Sequence, residues 1–393
     1  MSRVVTIPTS TLQISLPTHI DRGIFLRKYW QRRPLLMRAA LPTDCFSLSA
    51  EELAGLACEE EFESRLITER KDGSWTIAQG PFVEEDFTSL PNDHWTLLVQ
   101  DVDKFVPEVT RLMDAFDFVP GWRMDDIMIS FATDQGGVGP HSDAYDVFLM
   151  QAQGRRRWRI SEKPYADSDL LPGHELRILS HFEAHHDWIL EPGDVLYLPP
   201  GVAHWGTAEG DCMTYSLGFR APSQLELTSD WFQHLVSLAR DRRLVDPDDL
   251  VGNNLAELTA GVSMKAATLI DDLPTTHSRE FRLWLGCYLT EPKPQFQIAP
   301  PDSPWQAGDL DQWLQEGTVF TRHPCARMAW ARLSDHEVAL FCQGEAMIRP
   351  AGLIEAVKQL AQRRRIEPVE AGNPELRDLL LELVNAGILE PGE

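Results

Sequence analysis

In Gly136-Gly137-Val138-Gly139-Pro140-His141-Ser142-Asp143 a glycine-rich turn delivers a histidine and an aspartate two positions apart. On an extended strand residues i and i+2 point to the same face, so an imidazole and a carboxylate at this spacing reach one metal ion. The pair alone is weak evidence. With 12 histidines in the chain a His-x-Asp arises by chance, and a second one stands at His185-His186-Asp187. The first pair is favoured because it follows the glycine turn and precedes a strong apolar strand, but a third ligand has to decide.

That ligand is His204. From Gly193 to Leu198 a strand pattern runs into Pro199-Pro200-Gly201, and His204 follows the glycine by three residues. The spacing resembles the second cupin motif, whose histidine approaches the metal from the strand opposite the first pair. Ala208 stands where that motif usually ends in Asn, a position that is not a ligand. Two imidazoles and one carboxylate on one face of an ion leave coordination positions open, the arrangement of non-haem iron(II) oxygenases. Zinc would more often take a closed four-ligand site or cysteines. His141, Asp143 and His204 are therefore the candidate metal ligands and the catalytic centre. The run Gly154-Arg155-Arg156-Arg157-Trp158-Arg159 adds a partner for a dicarboxylate, because a guanidinium grips a carboxylate with two parallel hydrogen bonds. Alternation puts Arg155 and Arg157 on one face and Arg156 on the other, and leaves open which face points inward.

The elements that must carry these residues are short strands. Ile127 to Phe131, Val147 to Met150, Trp188 to Leu190 and Val195 to Leu198 are apolar runs bounded by Gly and Pro, which suggests a β-sandwich or barrel. Upstream, Ile24, Phe25, Tyr29 and Trp30 suggest an amphipathic helix that leads to a strand at Pro34 to Met37. Downstream, apolar residues at helical spacing predict helices over Leu225–Leu244 and Leu255–Ile270, with a Pro-rich linker at Pro292 to Pro294 and Pro300-Pro301. Leu353–Ala361 and Leu376–Val384 read as two more helices, and Asn385 to Leu389 as a helix stop running into a strand, the outline of a winged helix. The fold class expected is α+β, with units at 1–222, 223–290 and 291–393.

Composition narrows the classes. The chain has 393 residues, 43% of them hydrophobic and 24% charged, as in a soluble globular protein. No apolar run approaches a bilayer span, and the start of the chain lacks the pattern of a secretion signal, so a cytoplasmic location without membrane contact is expected. Six scattered cysteines (Cys45, Cys58, Cys212, Cys287, Cys325, Cys342) argue against a zinc ribbon or a disulfide framework. The formal net charge of −24 repels phosphate backbones and attracts basic partners, so direct nucleic-acid binding is not expected. From Pro350 to Glu393 five basic residues face eight acidic ones, so the winged-helix segment reads as a protein-binding or structural element.

With these residues in hand, the chain resembles the bacterial ribosomal oxygenases of the JmjC (cupin) superfamily, which hydroxylate an arginine of a large-subunit ribosomal protein. The resemblance rests on Gly139 to Phe148, Gly154 to Trp158, Leu198 to Gly201 with His204, Tyr215 to Pro222, and Tyr29 to Leu35. It implies a double-stranded β-helix (the JmjC jelly roll), a helical homodimerisation segment and a C-terminal winged helix. It implies Fe(II), 2-oxoglutarate as cosubstrate and O2, with 2-oxoglutarate decarboxylated to succinate as an unactivated carbon is hydroxylated. Arg156 would hold the distal carboxylate of 2-oxoglutarate with help from Ser130. A further polar contact is expected ten residues past His204, at Thr214, where Asn is the commoner residue. Asp134 is the candidate carboxylate for the target arginine. The implied partner is a basic ribosomal protein, steered by the acidic surface. Two other readings remain: a related oxygenase acting on a protein histidine, a lysine or a small molecule, and a ligand-sensing cupin/winged-helix regulator.

Overall fold

Side-chain alternation along extended strands shapes the first unit of the chain, Met1–Ala221. A computed structural model describes residues 12–70, 73–172, 176–248, 256–367 and 373–392. Nine strands among them form one antiparallel sheet: β1 (Leu35–Met37), β2 (Ser64–Glu69), β3 (Trp75–Gln79), β4 (Trp95–Val99), β5 (Met124–Ala132), β6 (Val147–Ile160), β7 (His186–Leu190), β8 (Val195–Leu198) and β9 (His204–Phe219). Their order is β1-β8-β6-β9-β5-β4-β2-β3, and β7 pairs with the far end of β6, beyond β8. β6 and β9 run together through register shifts around Gln153, where the ladder bends.

Each face of this sheet covers a different core. Phe148 and Met150 point to one side, with Ile127, Ile129, Tyr197, Tyr215 and Phe219; Val147 and Leu149 point to the other, with Trp158, Leu196 and Leu198. A strand buried on both faces reads as an unbroken apolar run, which is why Val147 to Met150 shows no polar alternation. On the first side lies α1 (Arg22–Lys28), capped by Asp21, whose carboxylate accepts from the Ile24 amide at 2.6 Å. Phe25 of α1 is fully buried, edge-on to Phe118 and Tyr197 at 5.3 and 5.1 Å, and this burial contributes about 2–3 kcal/mol. α2 (Ala50–Leu56), α3 (Glu84–Thr88) and α4 (Pro107–Thr110) complete the unit's helices among the described residues. The helix and strand expected before Met37, and all four strands expected between Asp126 and Ala221, are present.

The second unit, Pro222–Glu393, begins with α5 (Gln224–Leu238), α6 (Ala260–Asp271) and α7 (Arg279–Thr290). α5 stops at Leu238 rather than at Leu244, and the expected start of the next helix, Leu255, lies outside the described residues. α7 falls within the stretch 223–290 expected to be helical, though it was not delimited there. At its Gly286 a Cβ would lie 2.4 Å from the Phe341 ring, so close packing requires the glycine. The Pro-rich stretch is not a free linker: Phe296 is buried and Ile298 packs on the unit's core. Then come α8 (Ala307–Glu316), β10 (Phe320–Arg322), β11 (Met328–Arg332), β12 (Glu337–Cys342), β13 (Glu345–Pro350), α9 (Ile354–Gln362), β14 (Arg365–Ile366), α10 (Pro374–Asn385) and β15 (Leu389–Pro391). The sheets β11-β12-β13 and β14-β10-β15 enclose, with α9 and α10, a core around Leu340, Val357, Leu379 and Leu383. This is the winged-helix outline expected from Leu353 onward. No described helix is long and apolar enough to cross a membrane.

Candidate metal centre

His204 opens β9, and His141 lies directly across from it on the loop before β6. Their backbones exchange both hydrogen bonds, His141 N to His204 O at 3.0 Å and His204 N to His141 O at 2.8 Å. This bridge fixes the two rings 4.3 Å apart. Gly137 allows the approach, because a Cβ there would lie 2.5 Å from the Gly206 carbonyl. Asp143 is held by its own carbonyl, which accepts from Gly201 N at 2.7 Å. The Pro-Gly turn that delivers His204 thus also ties down the loop that carries the aspartate. One ligand atom from each of His141, Asp143 and His204 lies within 4.8 Å of the others.

The tautomers follow from hydrogen bonding. His141 Nδ1 lies 3.0 Å from Gly139 O and His204 Nδ1 lies 3.0 Å from Val202 O. A carbonyl only accepts, so each Nδ1 carries the hydrogen and each Nε2 turns a lone pair toward the shared centre. Burial, then the neighbouring His141, lowers the His204 pKa to about 4 against the opposing pull of Asp143. His204 is therefore neutral at physiological pH, and its 3.7 Å approach to Asp143 Oδ2 is two ligands converging rather than an ion pair. The donor set, its free lone pairs and its spacing fit a divalent metal of the iron type.

Beside this centre the question left by alternation is answered: Arg156 points inward, and Arg155 and Arg157 point out. Arg155 pairs with Glu209 at 3.6 Å, and Arg157 grips Asp187 with two bonds of 2.7 and 2.6 Å. The second His-x-Asp pair is thereby accounted for. Asp187 belongs to Arg157, which lowers its pKa, and His185 Nδ1 accepts from Glu162 N at 3.3 Å. Arg156 is 3% exposed, donates to Ser130 Oγ at 3.2 Å and stacks over Trp158 at 5.1 Å, while its Nε is buried with no partner. Burial pulls its pKa down, and among the described residues no ion pair engages it. A buried cation without a counter-charge costs several kcal/mol, a cost that an arriving carboxylate removes. Gly206 makes the room: a Cβ there would sit 2.7 Å from Trp158 and 2.9 Å from Arg156 Nε.

Ser130, Thr214 and Gln151 sit side by side on β5, β9 and β6. Ser130 donates weakly to Thr214 O at 3.4 Å, and Thr214 donates to Gln151 Oε1 at 3.2 Å. Asp134 is exposed, its carboxylate accepting from Gly210 N at 2.7 Å. Sequence reasoning missed two other residues, Asp126 and Tyr145. Both flank Gly218 of β9, where a Cβ would lie 3.4 Å from Asp126 Oδ1 and 3.9 Å from the Tyr145 ring. Desolvation, then the charges of Asp143 and Asp126, raise the Tyr145 pKa, although the residue as a whole is 42% exposed. The signal was there in the Asp125-Asp126 doublet and in the Tyr two positions after Asp143.

Comparison with known proteins adds the following. The JmjC domain profile matches residues 111–227, and the ROXA-like winged helix profile matches residues 269–390. The chain is 35% identical to the ribosomal protein uL16 3-hydroxylase of Escherichia coli (strain K12), over 92% of this chain and 95% of that one. It is also similar to solved structures of YcfD, a ribosomal oxygenase from Escherichia coli. The complex with cobalt and 2-oxoglutarate matches at 34% identity and a TM-score of 0.79, over 96% of this chain and 99% of that one. The complex with cobalt and succinic acid matches with the same identity, coverage and score.

Proposed function

The chain belongs to the JmjC-domain ribosomal oxygenases and is a 2-oxoglutarate-dependent hydroxylase, and from that premise we propose that it hydroxylates an arginine side chain of ribosomal protein uL16. The observation that carries the reading is Arg156, a buried and uncompensated guanidinium beside a His-Asp-His metal cluster. In this reading His141, Asp143 and His204 hold Fe(II), and Arg156 and Ser130 take the distal carboxylate of 2-oxoglutarate. Iron with 2-oxoglutarate and O2 supplies the oxidising power for an unactivated C–H bond.

The chain's own residues bind, orient and exclude water. The fixed tautomers of His141 and His204 keep both Nε2 atoms available without a prior proton loss. Val147, Leu149, Leu196 and Leu198 line the same side of the sheet as Arg156 and keep it dry, which strengthens the grip of Arg156 on an anion. Thr214 supports the carboxylate end through its bond to Gln151, standing in for the Asn of the family pattern. A guanidinium target needs a carboxylate near the metal. Asp134 is one candidate, and Asp126 is better supported, since its carboxylate and the Tyr145 ring, two residues from Asp143, flank the same Gly218 and offer a charge and an aromatic face together.

The wider assignments follow the same premise. The helices of residues 223–290 would pair two copies of the chain, because Leu225, Phe232, Val236, Met264 and Ile270 on α5 and α6 are exposed. The winged helix of residues 291–393 would serve protein contacts rather than DNA. A ribosomal substrate would put the enzyme in the cytoplasm. The test is to incubate the full chain with Fe(II), 2-oxoglutarate and uL16. An added oxygen on one arginine with matching succinate is expected, and an unmodified uL16 would refute the substrate assignment.

A further inference from the structure

The pairing of β5 with β9 contains one irregular step. Met124 opposes Phe219 and Ile127 opposes Leu217, so Asp125 and Asp126 together oppose Gly218. This is a β-bulge, and it changes face parity: Met124 before it and Ile127 and Ile129 after it all pack on the same core. Alternation from Ile127 and Ile129 faces Asp126 toward Tyr145, and the extra residue lets Met124 return to the core while the bulge sets the backbone that carries Asp126. A bulge also leaves backbone groups without ladder partners, and inside a protein these must be satisfied elsewhere.

Two adjacent side chains satisfy them. Asp103 and Lys104 lie on a short 3-10 turn, Val102–Lys104, with side chains 0% and 6% exposed. Asp103 Oδ1 accepts from Ile127 N at 2.7 Å, Lys104 Nζ donates to Asp125 O at 2.8 Å, and Lys104 Nζ meets Asp103 Oδ2 at 2.6 Å. The pair thus takes one donor and one acceptor of the bulge and neutralises its own charge. From the same segment Asp101 N donates to Asp126 Oδ2 at 3.2 Å, and Asp126 Oδ1 is the atom that a Cβ at Gly218 would meet first, at 3.4 Å.

We propose that Asp103 and Lys104 are positioning residues for substrate recognition: they hold the bulge that aims Asp126 at the cationic side chain to be hydroxylated. The proposal rests on the reading of Asp126 as the guanidinium contact. The test uses the full chain with Lys104→Met, which removes the donor to Asp125 O, and the milder Asp103→Asn, which keeps an acceptor for Ile127 N and serves where Lys104→Met does not fold. The KM for uL16 should rise about tenfold, the loss expected of one misaligned charge-assisted contact, while the KM for 2-oxoglutarate and substrate-independent succinate formation stay at wild type. Hydrogen exchange at the Ile127 amide, slow in the wild type, should speed up at least about tenfold in the same variants. Unchanged exchange overturns the bracing, whatever the substrate proves to be. Faster exchange with an unchanged KM for uL16 overturns the link to recognition. Asp126→Asn separates the two ideas: if it alone leaves the KM for uL16 unchanged, the guanidinium contact was misassigned.

Discussion

Replacing Arg156 with Met should make the metal-free protein no less stable while abolishing its affinity for 2-oxoglutarate. In the empty site the guanidinium is buried, uncompensated and short of a partner at Nε. Met fills a similar volume without a charge, so the substitution relieves a desolvation cost; replacement of buried charge by apolar groups is neutral to stabilising by about 1–4 kcal/mol. The lost bond to Ser130 at 3.2 Å offsets part of this, about 1 kcal/mol. Binding moves the other way. Two charge-assisted bonds to a carboxylate are worth roughly 1.5–3 kcal/mol each, so their loss raises the 2-oxoglutarate KM by at least about a hundredfold. Two measurements decide. Thermal melting without ligand should give a midpoint at or above wild type, and saturating 2-oxoglutarate with manganese should raise the wild-type midpoint but not the variant's. A variant that melts well below wild type, or that keeps its KM within about threefold, would refute the account of Arg156 as a charge waiting for a carboxylate.

Asp143→Ala should lose the bound metal and succinate formation, whereas Asp187→Ala should keep both and lose only a solvent-screened pairing with Arg157, with little change in melting; equal metal loss in the two would mean the wrong pair was chosen. Gly206→Ala should weaken 2-oxoglutarate binding and destabilise the fold by about 1–3 kcal/mol, because the methyl group meets the Trp158 ring and Arg156 Nε at 2.7 and 2.9 Å. The pH dependence of the metal-free protein follows from His204, whose pKa falls from 6.5 to about 4 on folding. Between those values the unfolded chain binds the extra proton, so stability rises with pH through this window, is complete above 6.5 and is lost as pH falls toward 4. Melting curves across that range should show the slope in wild type and a shallower one in His204→Gln; equal slopes would place the effect elsewhere.

The candidate ligand cluster was legible because its geometry is local. A glycine turn, a His-x-Asp pair and a Pro-Gly turn ahead of His204 each specify a side chain within a few residues, and the structure adds only the backbone bridge from His141 to His204 that brings them together. Arg156 was legible in type but not in direction. Strand alternation has two phases, and the phase here is set by Trp158, Gly206 and Ala208 across β6 and β9, which no single strand reveals. The two carboxylates near the site show the same limit more sharply. Asp134 sits just before the glycine turn, where its position is local, and its carboxylate accepts from the Gly210 amide. Asp126 lies in a doublet that opposes the single residue Gly218 in a pairing between β5 and β9, separated by more than eighty positions along the chain. Regular alternation from Ser130 and Met128 does assign Asp126 to the inner side, but it also carries Met124 there, whereas Met124 packs on the opposite core with Ile127 and Ile129. Only the bulge reconciles the two, and a bulge is fixed by where its orphaned amide and carbonyl find partners. Those partners, Asp103 and Lys104, come from a turn that carries no motif and touches none of the ligands.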